Sequence, residues 1–216
     1  MLRSLVLQSD FCLSDGAVSA MYGVATSVNP NLCIFDLTHD IPPFHIWEAS
    51  YRLLQTVSYW PRETVFVSVV DPGVGSDRKS IVAKTVDNHY IITPDNGTIS
   101  HMKDVLQEVR LIDEAKNRLP NSGESYTFYG RDRELVNKSE ILYGNMVEVS
   151  IFFKKEQVFK KQIIFGRSFA DAQIGESIAY INSLDNVGLA INQQSMANTY
   201  SLGAGADWTV QILPTR

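Results

Sequence analysis

The chain has 216 residues, 44% apolar and 20% charged, with a net charge of -5. This is the composition of an ordinary globular protein with room for one or two domains. Its only basic clusters are Lys154-Lys155 and Lys160-Lys161, which argues against a nucleic-acid partner. No stretch approaches the roughly 20 apolar residues needed to span a bilayer.

Met1-Leu2-Arg3 leads into a short apolar run that meets Gln8-Ser9-Asp10 at once. No secretory leader is therefore expected, and the expected location is cytoplasmic. The two cysteines, Cys12 and Cys33, are expected to be small buried apolar residues near strand ends rather than a disulfide. The two lysine pairs are expected on a solvated strand face.

In chain order, residues 3–8 read as a buried strand. Asp15-Gly16 offers an N-cap for a helix reaching Val28, with Val18, Met21, Val24, Ala25 and Val28 on one face. Asn29-Pro30-Asn31 stops it. Residues 32–37 form a second strand and Ile46 to Tyr59 a second amphipathic helix, ended by Pro61. Residues 64–70 are a third strand, apolar on both parities and so expected to be buried on both faces. Ile81 to Val86 and Tyr90 to Thr93 are two more, joined through Asp87-Asn88. Asp95-Asn96-Gly97 signals a turn. The order β-α-β-α-β predicts a parallel, doubly wound α/β domain with helices on both faces, over residues 1–117. Residues 118–132 read as an interdomain segment. The remainder, 133–216, is strand-rich (146–153, 157–165, 177–182, 187–192 and 207–213), predicting a small antiparallel sheet or β-barrel.

The third strand drives into Val70-Asp71-Pro72-Gly73-Val74-Gly75-Ser76-Asp77-Arg78. A carboxylate at a strand's C-terminal end stands where open α/β sheets bind ligands. Asp71 and Arg78 are placed to close on one another across the glycine turn. Asp10 ends the first strand in the same way. A carboxylate there can accept two hydrogen bonds from a vicinal diol such as a ribose; it can equally cap a helix or a loop. Phe44 follows Pro42-Pro43, which stiffen the loop that presents it. It suits stacking on a base or sugar, and equally a hydrophobic staple for the next helix. His39 has no second His or Cys at metal-ligand spacing, so no metal site is expected; hydrogen bonds to nearby backbone are the better reading. Neither a P-loop nor G-x-G-x-x-G is present. Thr127-Phe128-Tyr129-Gly130-Arg131-Asp132 is a dense polar and aromatic cluster between the domains, where ligands often bind.

Together these peptides resemble the S-adenosylmethionine (SAM) hydroxide adenosyltransferases, which share a superfamily with the SAM-dependent fluorinase and chlorinase. The resemblance rests on Ser9-Asp10-Phe11, Asp36 to Pro43, Val70 to Gly75, Pro94-Asp95-Asn96-Gly97, Thr127 to Asp132 and Tyr180-Ile181-Asn182-Ser183. It implies a seven-stranded α/β domain, a small β-barrel, and a homotrimer holding SAM between subunits. It implies hydrolysis of SAM to adenosine and methionine, with SAM as substrate and no cofactor. Asp71, Arg78 and Tyr129 fall on the positions that handle water. Asp10 falls on the ribose acid and Phe44 on the stacking aromatic. Val74, Thr127, Phe128, Gly130, Asn182 and Ser183 fall on substrate-binding positions, Ser183 in the adenine-contacting loop.

Two departures stand out. The family's third water-handling residue is usually the histidine of T-F-H-G-R-D; here it is Tyr129, as in the halogenases. Several tens of residues, including an F-G-N-x-x-T-N-I-like segment, are expected to be absent between Asp132 and Arg133, either unresolved or deleted. Two other functions stay open: a halogenase forming 5′-halo-5′-deoxyadenosine, and a SAM- or adenosine-binding protein without turnover. Asp71 weighs against the first, because a carboxylate beside the nucleophile repels an anion.

Overall fold

The computed structural model describes residues 4–74, 76–117, 141–182 and 186–215. The chain forms two compact units, Met1–Pro72 with Asp77–Leu119, and Gly73–Ser76 with Pro120–Arg216.

In the first unit the strands are β1 (Ser4–Ser9), β2 (Cys33–Thr38), β3 (Val65–Val69), β4 (Ser80–Thr85), β5 (Tyr90–Pro94) and β6 (Leu106–Leu111). Helix α1 (Ala17–Val28) joins β1 to β2, and α2 (Ile46–Thr56) joins β2 to β3. Six strands of the implied seven thus lie among the described residues, in the order β2-β1-β3-β5-β4-β6. β1 runs parallel to β2 and β3, and β3 parallel to β5. β4 runs antiparallel to both β5 and β6. The sheet is therefore mixed, where the sequence predicted parallel pairing throughout. The short connection between β4 and β5, four residues around Asp87-Asn88, explains this: a link of that length can close a hairpin, whereas a parallel return needs a long crossover.

From β1 the chain steps to β2 on one side, then passes back over β1 to β3 on the other. Right-handed crossovers place α1 and α2 on opposite faces. The topological switch therefore lies between β1 and β3, and the crevice at their carboxyl ends is the ligand position of such sheets. Asp10 and Asp71 follow those two ends directly.

The two faces are unequally covered. On β3, Phe66 and Ser68 are buried while Val65, Val67 and Val69 are half-buried, so the expected burial on both faces is only partly realised. Ala49, Ser50 and Leu53 of α2 are buried, and Leu53 joins Val6, Phe66, Ala83, Ile91 and Met102 in one core. α1 buries Val18 alone, and Val28 is 72% exposed. That helix leads to the edge strand β2, so its apolar stripe meets only the margin of the sheet. Cys12 is exposed and Cys33 half-buried, both as free thiols; the expected burial fails because Cys12 sits in the open loop after β1.

The second unit carries β7 (Met146–Phe153), β8 (Glu156–Gly166), β9 (Ser177–Ile181), β10 (Val187–Ile191) and β11 (Trp208–Pro214). Their order is β10-β9-β8-β7-β11, and the sheet curls into a half-barrel. β8 and β9 pair in parallel and the other neighbours antiparallel. Val147, Val149, Ile163, Phe165, Ala179 and Ile181 fill the concave core. Lys154 and Lys155, expected on a strand face, instead make the β7–β8 turn, both at positive φ (48° and 73°). That is the backbone a two-residue hairpin requires.

Tyr180 of β9 lies against Gly188 of β10, its register partner. A Cβ at Gly188 would stand 2.7 Å from two Tyr180 ring carbons. Gly188→Ala therefore displaces the ring and is expected to cost about 1–3 kcal/mol. Tm should fall roughly 4–8 °C per kcal/mol for a unit of this size. A thermal melt checks it; an unchanged Tm would mean that the ring moves aside freely.

Candidate active site

The site is built on the switch-point crevice of the first unit. Asp71 leaves β3 with its side chain 14% exposed, and the Arg78 guanidinium ion-pairs with its Oδ1. Between them the turn closes on itself, with Ser76 donating to the Gly73 carbonyl from its backbone N–H (3.1 Å) and its hydroxyl (2.7 Å). The peptide before Asp71 is held from the far side. Asn96 Nδ2 donates to the Val70 carbonyl at 2.7 Å. Asn96 Oδ1 in turn accepts from Thr98, from its backbone N–H at 3.1 Å and its hydroxyl at 2.7 Å. Gly97 takes φ +100°, a conformation that costs glycine nothing. The Asp95-Asn96-Gly97 turn thus serves as a brace for the Asp71 backbone.

Asp10 leaves β1 half-buried, and its Oδ2 accepts the Phe44 backbone N–H at 2.8 Å. Burial pushes its carboxyl above the ordinary carboxylate range. The Phe44 and Asp10 backbone N–H groups pull it back, and the charge of Asp71 adds a smaller upward push. The two carboxylates are therefore close enough to sense one another. Phe44 itself stands at φ +68°, a left-handed conformation that costs a bulky residue of order 1–3 kcal/mol and is concentrated at functional sites. Besides presenting a ring, Phe44 anchors Asp10 through its backbone.

His39 is 3% exposed. Its ring bonds to two side chains, where the sequence suggested backbone: Nδ1 to Ser9 Oγ at 2.7 Å and Nε2 to Asp36 Oδ1 at 3.0 Å. The sequence reading had missed this link because its members are 30 residues apart along the chain. The one local signal was the i, i+3 spacing of Asp36 and His39.

Val74 lies on the turn after Asp71 and is 38% exposed. In the second unit, Asn182 follows β9 and closes a loop with Asn186. Its backbone N–H donates to the Asn186 carbonyl (2.8 Å), and its Oδ1 accepts the Asn186 N–H (3.0 Å). Thr127, Phe128, Tyr129, Gly130 and Ser183 lie outside the described residues, as does the Asp132-Arg133 junction. The structure thus brings Asp71 to Arg78 and Asp10 to Phe44. Among the described residues no group of three or more His, Cys, Asp or Glu could hold a metal ion, and no helix is long and apolar enough to cross a membrane.

Two carboxylates at a doubly wound switch point, one paired with arginine, place this chain among the α/β proteins with charged groups at the carboxyl edge of the sheet. The chain belongs to the SAM hydroxide adenosyltransferase family: residues 5–139 match the family's N-terminal domain and residues 130–209 its C-terminal domain. It is 38% identical over 148 residues to an (R)-S-adenosyl-L-methionine hydrolase of Methanocaldococcus jannaschii, covering 67% of this chain and 55% of that protein. A Salinispora arenicola protein of the same name is 39% identical over 127 residues, covering 57% of this chain and 47% of its own. The chain spans about half the length of these curated relatives. A fluorinase of an Actinoplanes species is more distant, at 20% identity, and is covered over 96% of its length by 95% of this chain. A solved structure of an uncharacterized conserved protein from Thermotoga maritima shares the fold, with a TM-score of 0.52, 22% identity and coverage of 96% and 99% of the two chains.

The fluorinase alignment is longer than this chain. The sequence is continuous through Asp132-Arg133. Aligning 95% of its 216 residues with the fluorinase takes 287 positions, so tens of positions of that relative stand opposite no residue here. The two family matches overlap at residues 130–139.

Proposed function

We propose that the protein hydrolyses SAM to adenosine and L-methionine, with water attacking the ribose C5′. One observation carries this reading: the Asp71–Arg78 ion pair at the carboxyl end of β3, beside a second carboxylate, Asp10, at the end of β1. SAM brings its own leaving group, a sulfonium that departs as a neutral thioether. The protein has to hold C5′, sulfur and the incoming oxygen in line, and such positioning can supply much of the rate. Asp10 accepts the ribose hydroxyls and Phe44 stacks against the nucleoside. Val74, Thr127, Phe128, Gly130, Asn182 and Ser183 complete the substrate contacts. Asp71 accepts a hydrogen bond from the water and shares its developing positive charge, while Arg78 fixes the orientation of Asp71.

Water is not deprotonated beforehand. Its pKa near 15.7 against about 3.9 for a free aspartate makes that step cost roughly 16 kcal/mol at 1.36 kcal/mol per unit. The proton passes to Asp71 late, as the C5′–O bond forms and the C5′–S bond breaks. Tyr129 hydrogen-bonds the water but does not carry its proton near neutral pH, as a histidine would. Turnover is accordingly slower than in relatives with histidine at that position. The family resemblance further supports a homotrimer as the working assembly, and the loop-like composition after Asn117 supports the division at 118–132 as the domain boundary.

The test is incubation with SAM in halide-free buffer and again in chloride, with products resolved by liquid chromatography and mass spectrometry. Adenosine and methionine in both are expected. A halogenated nucleoside in chloride alone would overturn the hydrolytic reading in favour of the halogenase. Retained adenosine with no methionine would leave a binding protein.

A further inference from the structure

One polar chain in the first unit ends beside Asp10 and has no part in the chemistry above. It starts at the surface, where the Tyr22 hydroxyl of α1 donates to Asp36 at 2.6 Å from both carboxylate oxygens. That bond pushes the Tyr22 phenol up to about 12. Asp36 of β2 accepts from His39 Nε2, and His39 Nδ1 meets Ser9 Oγ. The Ser9 oxygen also accepts the Phe11 backbone N–H at 3.3 Å, and the His39 carbonyl accepts the Cys12 backbone N–H at 2.8 Å. The residues on both sides of Asp10 are thus tied to one histidine.

The chemistry of Asp36 fixes the direction of one of these bonds. A carboxylate only accepts, so Nε2 carries the proton; in the tautomer with its single proton there, Nδ1 accepts from the Ser9 hydroxyl. Every donor in this row has an acceptor. The arrangement has the residue types of a nucleophilic triad, but Ser9 is 0% exposed and its hydroxyl is occupied, so it reaches no substrate. A register shift between Leu7 and Gln8, where Leu7 pairs with Asp36 and Gln8 with Thr38, lets the ends of β1 and β2 meet through these side chains. Irregularities of this kind re-aim groups next to active sites.

We propose that Ser9, His39 and Asp36 are positioning residues that aim the Asp10 carboxylate at a vicinal diol. Phe44 holds one carboxylate oxygen; the Ser9–His39–Asp36 row holds the backbone from which that carboxylate projects. The proposal rests on the reading of Asp10 as the ribose acid and extends it to residues that touch no ligand.

The test compares the binding of adenosine and of 2′,3′-dideoxyadenosine, which lacks the diol, by titration calorimetry on the full chain. The unaltered protein should favour adenosine, and Asp10→Asn should erase that preference. His39→Leu and Ser9→Ala should weaken adenosine about tenfold and leave dideoxyadenosine within twofold. His39→Asn, whose amide oxygen can accept from Ser9 in place of Nδ1, should regain most of the loss. Asp36 has a side chain 41% exposed, so Asp36→Ala keeps the test alive if the buried variants do not fold, and should weaken adenosine about threefold. Equal losses for both nucleosides would reduce the row to a general structural role and overturn the proposal. So would no loss for either. An Asp10→Asn variant that keeps the preference would instead overturn the ribose reading itself.

Discussion

Asp71→Asn is expected to slow methionine release from SAM by about 10²–10⁴-fold, the range for loss of a positioned proton acceptor. The amide keeps the shape and can still accept one hydrogen bond, but it cannot take the proton as the C5′–O bond forms. It also removes the negative charge that pairs with the Arg78 guanidinium. Because the effect falls on the reacting water, adenosine affinity should change less than about threefold. Rapid-mix measurement of methionine release, with adenosine binding measured beside it, separates the two. A variant that turns over normally would remove Asp71 from the chemistry. One that loses adenosine as well would make the Asp71–Arg78 pair part of the binding site.

Asp10→Asn is expected to weaken adenosine about 10- to 100-fold, since hydrogen bonds to a charged group contribute about 1.5–3 kcal/mol. The same group sets a pH dependence, and its sign follows from its environment. Burial and the neighbouring Asp71 charge raise the Asp10 pKa in the folded protein, against the opposing Phe44 N–H. The diol requires the carboxylate form, which accepts from both hydroxyls. Adenosine affinity should therefore fall as pH drops through the raised value, above the ordinary carboxylate range. In the unliganded protein the linkage runs the other way. The stability contributed by neutral Asp10 is full below its unfolded pKa and is lost as pH rises through the folded one. Titration calorimetry across the acid range checks the first statement, and melts of the two proteins checks the second. A pH-independent affinity would mean that Asp10 does not meet the diol.

The positions of these acids were legible because strand ends are local. The apolar run Val65–Val69 meeting Asp71, and Ser4–Ser9 meeting Asp10, are marked by hydrophobic pattern and turn residues, which act over a few residues. The order of strands and helices through β3, and all five strands of the second unit, were readable for the same reason. Composition could not reveal the antiparallel β4–β5 pair beyond its short connection. It could not reveal the weak burial of α1 either, because burial depends on how much sheet lies under the helix.

The sequence by itself determined which groups stand at the carboxyl ends of β1 and β3, and, through its motifs, the family. Only the tertiary structure decided what holds them. Ser9 bonds His39, Phe44 bonds Asp10, and Asn96 bonds the Val70 carbonyl across 30, 34 and 26 residues respectively. No periodicity links such pairs. They meet because parallel strands bring loops from distant parts of the chain to one edge of the sheet, where unpaired backbone and carboxylate groups must find partners.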